Sequence, residues 1–131
     1  MYIGVNNDRL VSINEVATAF DISRNHLMKI VHELGKEGYL ETVRGKNGGF
    51  RLAKPAHKIN IGQVIRFTED DLIIVECFDR EKANCKILGH CKLTGVLREA
   101  LDSFFSVLDN QTLEDLIEND DFADCLRHNV I

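Results

Sequence analysis

Apolar residues near the start of the chain recur at helical spacing in two short runs. Ser12 followed by Glu15 has the form of a capping box and predicts a helix to about Phe20, with Val16, Ala17 and Phe20 on one face. Asp21-Ile22-Ser23 interrupts the pattern, and Ser23 is placed to cap a second helix. There Leu27, Ile30, Val31 and Leu34 recur at spacings of three and four, and Gly38 ends the run as a left-handed C-cap residue. Two short helices across such a turn form a helix-turn-helix, whose second helix enters the major groove in DNA-binding versions.

The period then shortens. Tyr39 to Arg44 alternate weakly and Phe50 to Ala53 predict a return strand, with Lys46-Asn47-Gly48-Gly49 as the turn. A basic hairpin directly after a helix-turn-helix is a wing, and Pro55 closes this module. "INIGQVIRF" predicts a short strand entering a short helix, Gly62 to Phe67. From Thr68 to His90 no period is visible, and a loop of that length in a small domain tends to be functional or disordered. From Lys92 a strong helical stripe begins: Leu93, Leu97, Ala100, Leu101, Phe104, Phe105 and Leu108, over roughly 25 Å of rise. So long an apolar stripe exceeds what a small domain can cover, and a second subunit is its natural cover. "TLEDLIEND", opened by Thr112, predicts a last short helix. The fold class is therefore mainly α with a small β-hairpin: a winged helix-turn-helix plus a long C-terminal dimerisation helix. The chain divides into a winged-helix region (1–67), a cysteine-containing loop (68–91) and the dimerisation helix with its short follower (92–131).

Charge sharpens this division. Residues 24–66 carry nine Lys or Arg against three Asp or Glu, whereas residues 67–131 carry six against fifteen, within a net charge of −5. A basic block in an acidic protein is expected when one face meets a polyanion. At 44% apolar and 28% charged, the composition is that of an ordinary soluble globular protein. No apolar run approaches the length of about 18 residues needed to span a bilayer, so no membrane partner is expected. "MYIGVNNDRL" lacks a secretory pattern, which favours the cytoplasm and reduced thiols. No nucleophile elbow, P-loop, zincin or dinucleotide-binding motif is present, and catalysis is not expected.

Ser23, Arg24, Asn25 and His26 crowd the first turn of the second helix, with Lys29 one turn later. Arg reads guanine and Asn adenine bidentately, while Ser, Lys and a helix N-terminus hold phosphates. In the wing, Arg44, Lys46, Asn47 and Arg51 flank Gly48 and Gly49, which let backbone come close to a sugar-phosphate strand, and the narrow tip suits a minor groove. A solvated polar face, or a plain hairpin guarded by basic residues, would look similar for either half alone.

Cys77, Cys85 and Cys91 form a C-x7-C-x5-C pattern, with Cys125 apart from them. Free cysteine is often a small buried hydrophobe, and Cys125, near the acidic C-terminus, fits that description or is incidental. Three thiols in a polar loop do not pack that way. Structural zinc takes four ligands in closely spaced pairs, and no C-x2-C occurs. Spacing alone leaves an iron–sulfur cluster, zinc and redox-active thiols open. Oxygen or nitrogen donors for a site with three thiolates are Glu76, Asp79, Glu81 and His90.

The stretch "SRNHLMKIVHELGKEGYLETVRGKNGGFRLAKP", with "RGKNGGFRLA" as its most specific piece, followed by "INIGQVIR" and the three cysteines, resembles the NsrR branch of the NsrR/IscR family of winged-helix iron–sulfur transcription regulators. The resemblance runs from about Val11 to Glu118. It implies a homodimer on palindromic promoter DNA, an iron–sulfur cluster on Cys77, Cys85 and Cys91, and repression relieved when nitric oxide damages that cluster. It further implies a four-iron (4Fe–4S) over a two-iron (2Fe–2S) cluster, because IscR-like members carry a histidine ligand where this chain has Thr94. Members usually begin with a further helix upstream, in which Met1 would fall. In four-iron members an aspartate from that helix of the partner subunit can be the fourth ligand. The alternatives are a cluster-free thiol-switch regulator and a zinc-stabilised protein-interaction module.

Overall fold

In the computed structural model, which describes residues 1–69, 74–79, 81 and 83–128, the capping box at Ser12 closes from both sides. The Glu15 N–H donates to Ser12 Oγ at 3.1 Å, and the Ser12 N–H donates to Glu15 Oε2 at 3.4 Å. The helix it opens, α2 (Ile13–Ala19), follows a four-residue α1 (Tyr2–Val5). Helix α3 (Arg24–Lys36) starts where Ser23 Oγ accepts the His26 N–H at 3.5 Å. Between α2 and α3, Asp21 takes a left-handed φ of 51°, the sharp turn of the motif. Beyond α3, Gly38 has φ 70° and nothing stands near its missing β-carbon, so it serves the chain reversal alone.

Strands β1 (Leu40–Val43) and β2 (Gly49–Leu52) pair antiparallel with Leu40 opposite Leu52 and Val43 opposite Gly49. The reversal occupies 44–48, so Gly49 belongs to the strand and not to the turn. A third segment joins the hairpin: Val11 exchanges both backbone hydrogen bonds with Phe50, at 2.9 and 2.8 Å. These two are the most deeply buried large side chains, with Phe50 2% exposed and Val11 fully enclosed. Around them Val16, Ala17, Leu27, Val31 and Leu40 make the core, joined by Tyr2 and Val5 of α1 and by Ala123 and Leu126.

Those last two sit on α7 (Asp120–His128), a helix the sequence pattern did not announce; α6 (Leu113–Ile117), opened by a Thr112–Asp115 capping box, was expected. Both pack against α1. The expected strand at "INI" does not form. Ile59 is buried, and Asn60 makes a single bridge to Thr112, because the chain returns to this point only once and briefly. Residues 1–60 and 112–131 thus constitute one unit, and residues 61–111 a second.

In the second unit α4 (Ile61–Thr68) lies against the long α5 (Lys92–Asp109). Arg66 grips Asp109 through two hydrogen bonds, at 2.5 and 2.8 Å, and stacks its guanidinium 4.1 Å from the Phe105 ring. Phe105 is buried, and Leu97, Leu101 and Leu108 are half-buried on the same side of α5. Leu93, Val96, Phe104 and Val107 remain more than half exposed. The described part of the cysteine segment has only a 3₁₀ turn, Glu76–Phe78, and short bends; 70–73, 80, 82 and 129–131 lie outside the described residues. No described helix is long and apolar enough to cross a membrane.

Candidate functional site

Because Leu27 and Val31 are buried, the opposite face of α3 is turned outward, and Arg24, Asn25, His26 and Lys29 are all exposed on it together with the cap residue Ser23. Among the described residues neither Arg24 nor Lys29 makes an ion pair, so both charges are available to an external anion. In the hairpin, Arg44, Lys46 and Asn47 are exposed in the 44–48 reversal. Arg51 differs: its Nε donates to Glu41 Oε2 at 2.9 Å across the strands, both side chains half exposed.

Gly48 and Gly49 have an internal reason for lacking a side chain. A β-carbon at Gly48 would run into the Val43 carbonyl oxygen, and one at Gly49 would stand 2.5 Å from that of Val11. Both are demanded by the folding of the reversal and by the Val11–Phe50 bridge, apart from any approach by nucleic acid.

The thiols divide. Cys77 and Cys91 line one open cavity of about 460 Å³ at the head of α5, with Leu88, Thr94 and Arg98 beside them; Cys85 does not line it. Cys91 is the N-cap residue of α5. Thr94 serves both sulfurs. Its hydroxyl is 3.5 Å from Cys77 Sγ, and its N–H, then its hydroxyl, hold the Cys91 thiol below its ordinary pKa by favouring the thiolate. A further tie joins the segment to α5: the Arg98 guanidinium lies 5.5 Å from the Phe78 ring.

Of the additional donors, Glu76 accepts the Asn84 N–H at 2.6 Å and Asp79 that of Glu81 at 3.0 Å; Glu81 and His90 are exposed, and none of the four lines the cavity. Among the described residues no three His, Cys, Asp or Glu side chains converge as a metal-binding set. The donor chemistry nonetheless fits an iron–sulfur group: two thiols, one biased to thiolate, share a cavity with room, and the third lies three residues before Leu88 on its rim. From sequence, Thr94 entered only as the position where IscR-like members carry a histidine ligand, and Arg98 was not singled out. Continuing the helical period from Cys91 by three and then seven residues would have found them.

The sequence profile of the Rrf2 family, described as an iron-dependent transcriptional regulator, matches residues 1–119. The HTH-type transcriptional regulator NsrR of Bacillus licheniformis is 53% identical over 116 residues, which is 88% of this chain and 81% of that protein. The protein of the same name in Bacillus subtilis is 51% identical over 110 residues, 84% of this chain and 75% of its own length. Among solved structures, IscR of T. potens superposes with a TM-score of 0.68 at 24% identity, covering 89% of this chain and 77% of that one, a likeness of fold.

Proposed function

The chain belongs to the Rrf2 family of iron-dependent transcriptional regulators, similar to NsrR over most of its length, and from that premise we propose that it is a homodimeric, nitric-oxide-sensitive repressor of palindromic promoters in the cytoplasm. Ser23, Arg24, Asn25, His26 and Lys29 contact the major groove and its phosphates. Lys46 and Asn47 engage the neighbouring groove and Arg44 a phosphate at its edge, with Arg51, Gly48 and Gly49 shaping the wing behind them. The dimer forms along the exposed apolar row of α5, Leu93, Val96, Phe104 and Val107, whose exposure in one chain calls for a second helix. Two such subunits place their reading helices about one DNA turn apart.

Cys77, Cys85 and Cys91 are the ligands of an iron–sulfur cluster, four-iron in preference to two-iron. When bound, the cluster supplies an iron that thiolate does not hold and that a diatomic ligand can reach. Three thiolates then tie the 77–91 segment to the head of α5, and release of those thiols frees the segment from the dimer helix. A change of about 1.4 kcal/mol in differential affinity alters operator binding tenfold, which loosening one loop can supply.

The observation that carries this reading is the meeting of Cys77 and Cys91 in one cavity on the first turns of the helix that pairs the subunits. Its test is operator binding by anaerobically purified protein, with iron and sulfide assayed, before and after nitric oxide. Unchanged affinity overturns the proposal. The absence of Cys85 from the cavity favours a second reading, a cluster-free switch in which Cys77 or Cys91 is oxidised directly. Protein purified anaerobically without iron or sulfide, yet losing DNA on peroxide treatment, supports that reading instead.

A further inference from the structure

Between the C-terminal half of α3 and strand β1 lies an open groove of about 420 Å³. Val31 and Leu40, both buried, form its floor, and its walls carry His32 and Lys36 from the helix with Thr42 and Arg44 from the hairpin. No acidic side chain lines it, and among the described residues neither Lys36 nor Arg44 is ion-paired. Two unneutralised cations, a hydroxyl and an imidazole make the donor set of a phosphodiester site. Lys36, in the last turn of α3, also offsets the partial negative charge of that helix end, which otherwise repels an anion.

Gly35 is an independent sign. It lies within α3, where glycine weakens a helix relative to alanine because it gives up more backbone freedom on folding. Packing does not demand it. A β-carbon there would have only the Leu40 carbonyl oxygen nearby, at 3.7 Å, an ordinary van der Waals contact. Its backbone is helical, so no left-handed conformation requires it either. Gly35 is thus a glycine that neither sterics nor backbone geometry explains, and it lines a cationic groove.

We infer that this groove seats the sugar-phosphate strand dividing the two grooves of the duplex, with His32, Lys36, Thr42 and Arg44 around the phosphate and Gly35 as the point of closest approach. The inference rests on the DNA-reading role proposed above. With the first turns of α3 in the major groove and the Lys46–Asn47 tip in the minor groove, the strand separating them must cross between helix and hairpin. Contacts of this kind fix register and orientation without reading sequence.

The full chain is therefore tested on a random-sequence duplex of roughly 30 base pairs, about three turns, with binding followed between about 50 and 200 mM salt. Lys36→Gln is expected to lower the slope of log affinity against log salt by about one, and Lys36→Arg to keep it. Gly35→Ala is expected to raise the melting temperature by a few degrees while weakening binding several-fold. Wild-type affinity and slope in both Lys36→Gln and Gly35→Ala overturn the groove assignment and leave the DNA-reading role intact. A Gly35→Ala chain that melts below the wild type overturns the argument from glycine. Wild-type protein that fails to bind the duplex at the lowest salt overturns the DNA-reading role and this inference with it.

Discussion

The Thr94 hydroxyl lies 3.5 Å from the Cys77 sulfur, across 17 residues of chain, and the same residue's N–H and hydroxyl favour the thiolate of Cys91. One threonine in the first turn of α5 therefore organises two thiols. Thr94→Val removes the hydroxyl and leaves the N–H, so the Cys91 pKa rises toward its ordinary value. Alkylation of Cys91 in cluster-free protein at mildly alkaline pH, read by mass spectrometry, should slow in Thr94→Val and recover in Thr94→Ser. Equal rates in all three would show that the hydroxyl has no hold on the sulfur.

Anaerobic protein should lose bound iron and its visible absorbance when Cys77, Cys85 or Cys91 is changed singly to Ala, and keep both in Cys125→Ala. Cys125 is exposed and stands outside the 77–91 segment. Iron content that survives Cys85→Ala would restrict the ligand set to the two thiols on the cavity.

The Arg51–Glu41 pair separates two arginines of the wing that sequence alone treats alike. In the proposed complex Arg44 would meet a phosphate with its charge free, whereas Arg51 would first have to give up a carboxylate. Arg44→Ala should therefore cost more DNA affinity than Arg51→Ala, and Glu41→Gln should raise affinity, most visibly at low salt. Equal losses at the two arginines, by fluorescence anisotropy on one duplex, contradict this ranking.

Glu15 links three segments. It caps α2, accepts the Tyr2 hydroxyl at 2.7 Å and pairs with Arg9, whose guanidinium is the main cause of a carboxyl pKa lowered from 4.5 to about 2. A depressed folded-state pKa means that this stabilisation is complete above pH 4.5 and is lost as pH falls through 2. The Glu15 side chain is 24% exposed, so solvent screening holds the contribution to about 1–2 kcal/mol. Urea unfolding of Glu15→Gln should show that loss at pH 7, and a smaller gap from wild type at pH 3.

Gly48→Ala and Gly49→Ala place a methyl against the carbonyls of Val43 and Val11 and should each destabilise the fold by about 1–3 kcal/mol. Gly38→Ala meets no atom and should cost only the left-handed penalty of about 1 kcal/mol. Thermal unfolding of the three variants orders them, and a Gly48→Ala or Gly49→Ala chain as stable as wild type would return the explanation of that glycine to DNA approach.

The helix-turn-helix was legible because its signals are local. Ser12 with Glu15, Ser23 and Gly38 act within a few residues of themselves, and apolar positions at spacings of three and four name their own buried face. The stripe on α5 was legible for the same reason, as was the basic hairpin. Family membership followed from the order of these pieces together with the three cysteines.

What depended on distant partners did not show. Helix α7 is short and acidic at its start, and its apolar Phe122, Ala123 and Leu126 find their cover only in α1 and α6, which the fold brings against it. "INI" has strand-forming residues, but a strand needs a neighbour along its length, and Asn60 meets Thr112 at a single bridge. The two wing glycines look alike in sequence, yet one avoids its own hairpin and the other a segment some 40 positions earlier. The three cysteines are likewise equal on paper. By itself the sequence determined the local elements and named the candidates for meeting DNA and for ligating iron, since residue type and local period are enough for that. Only the tertiary structure decided that Cys77 and Cys91 share a cavity under Thr94, that Arg51 is already paired, and that Gly35 opens a groove, because each is a contact between residues that the chain brings together only on folding.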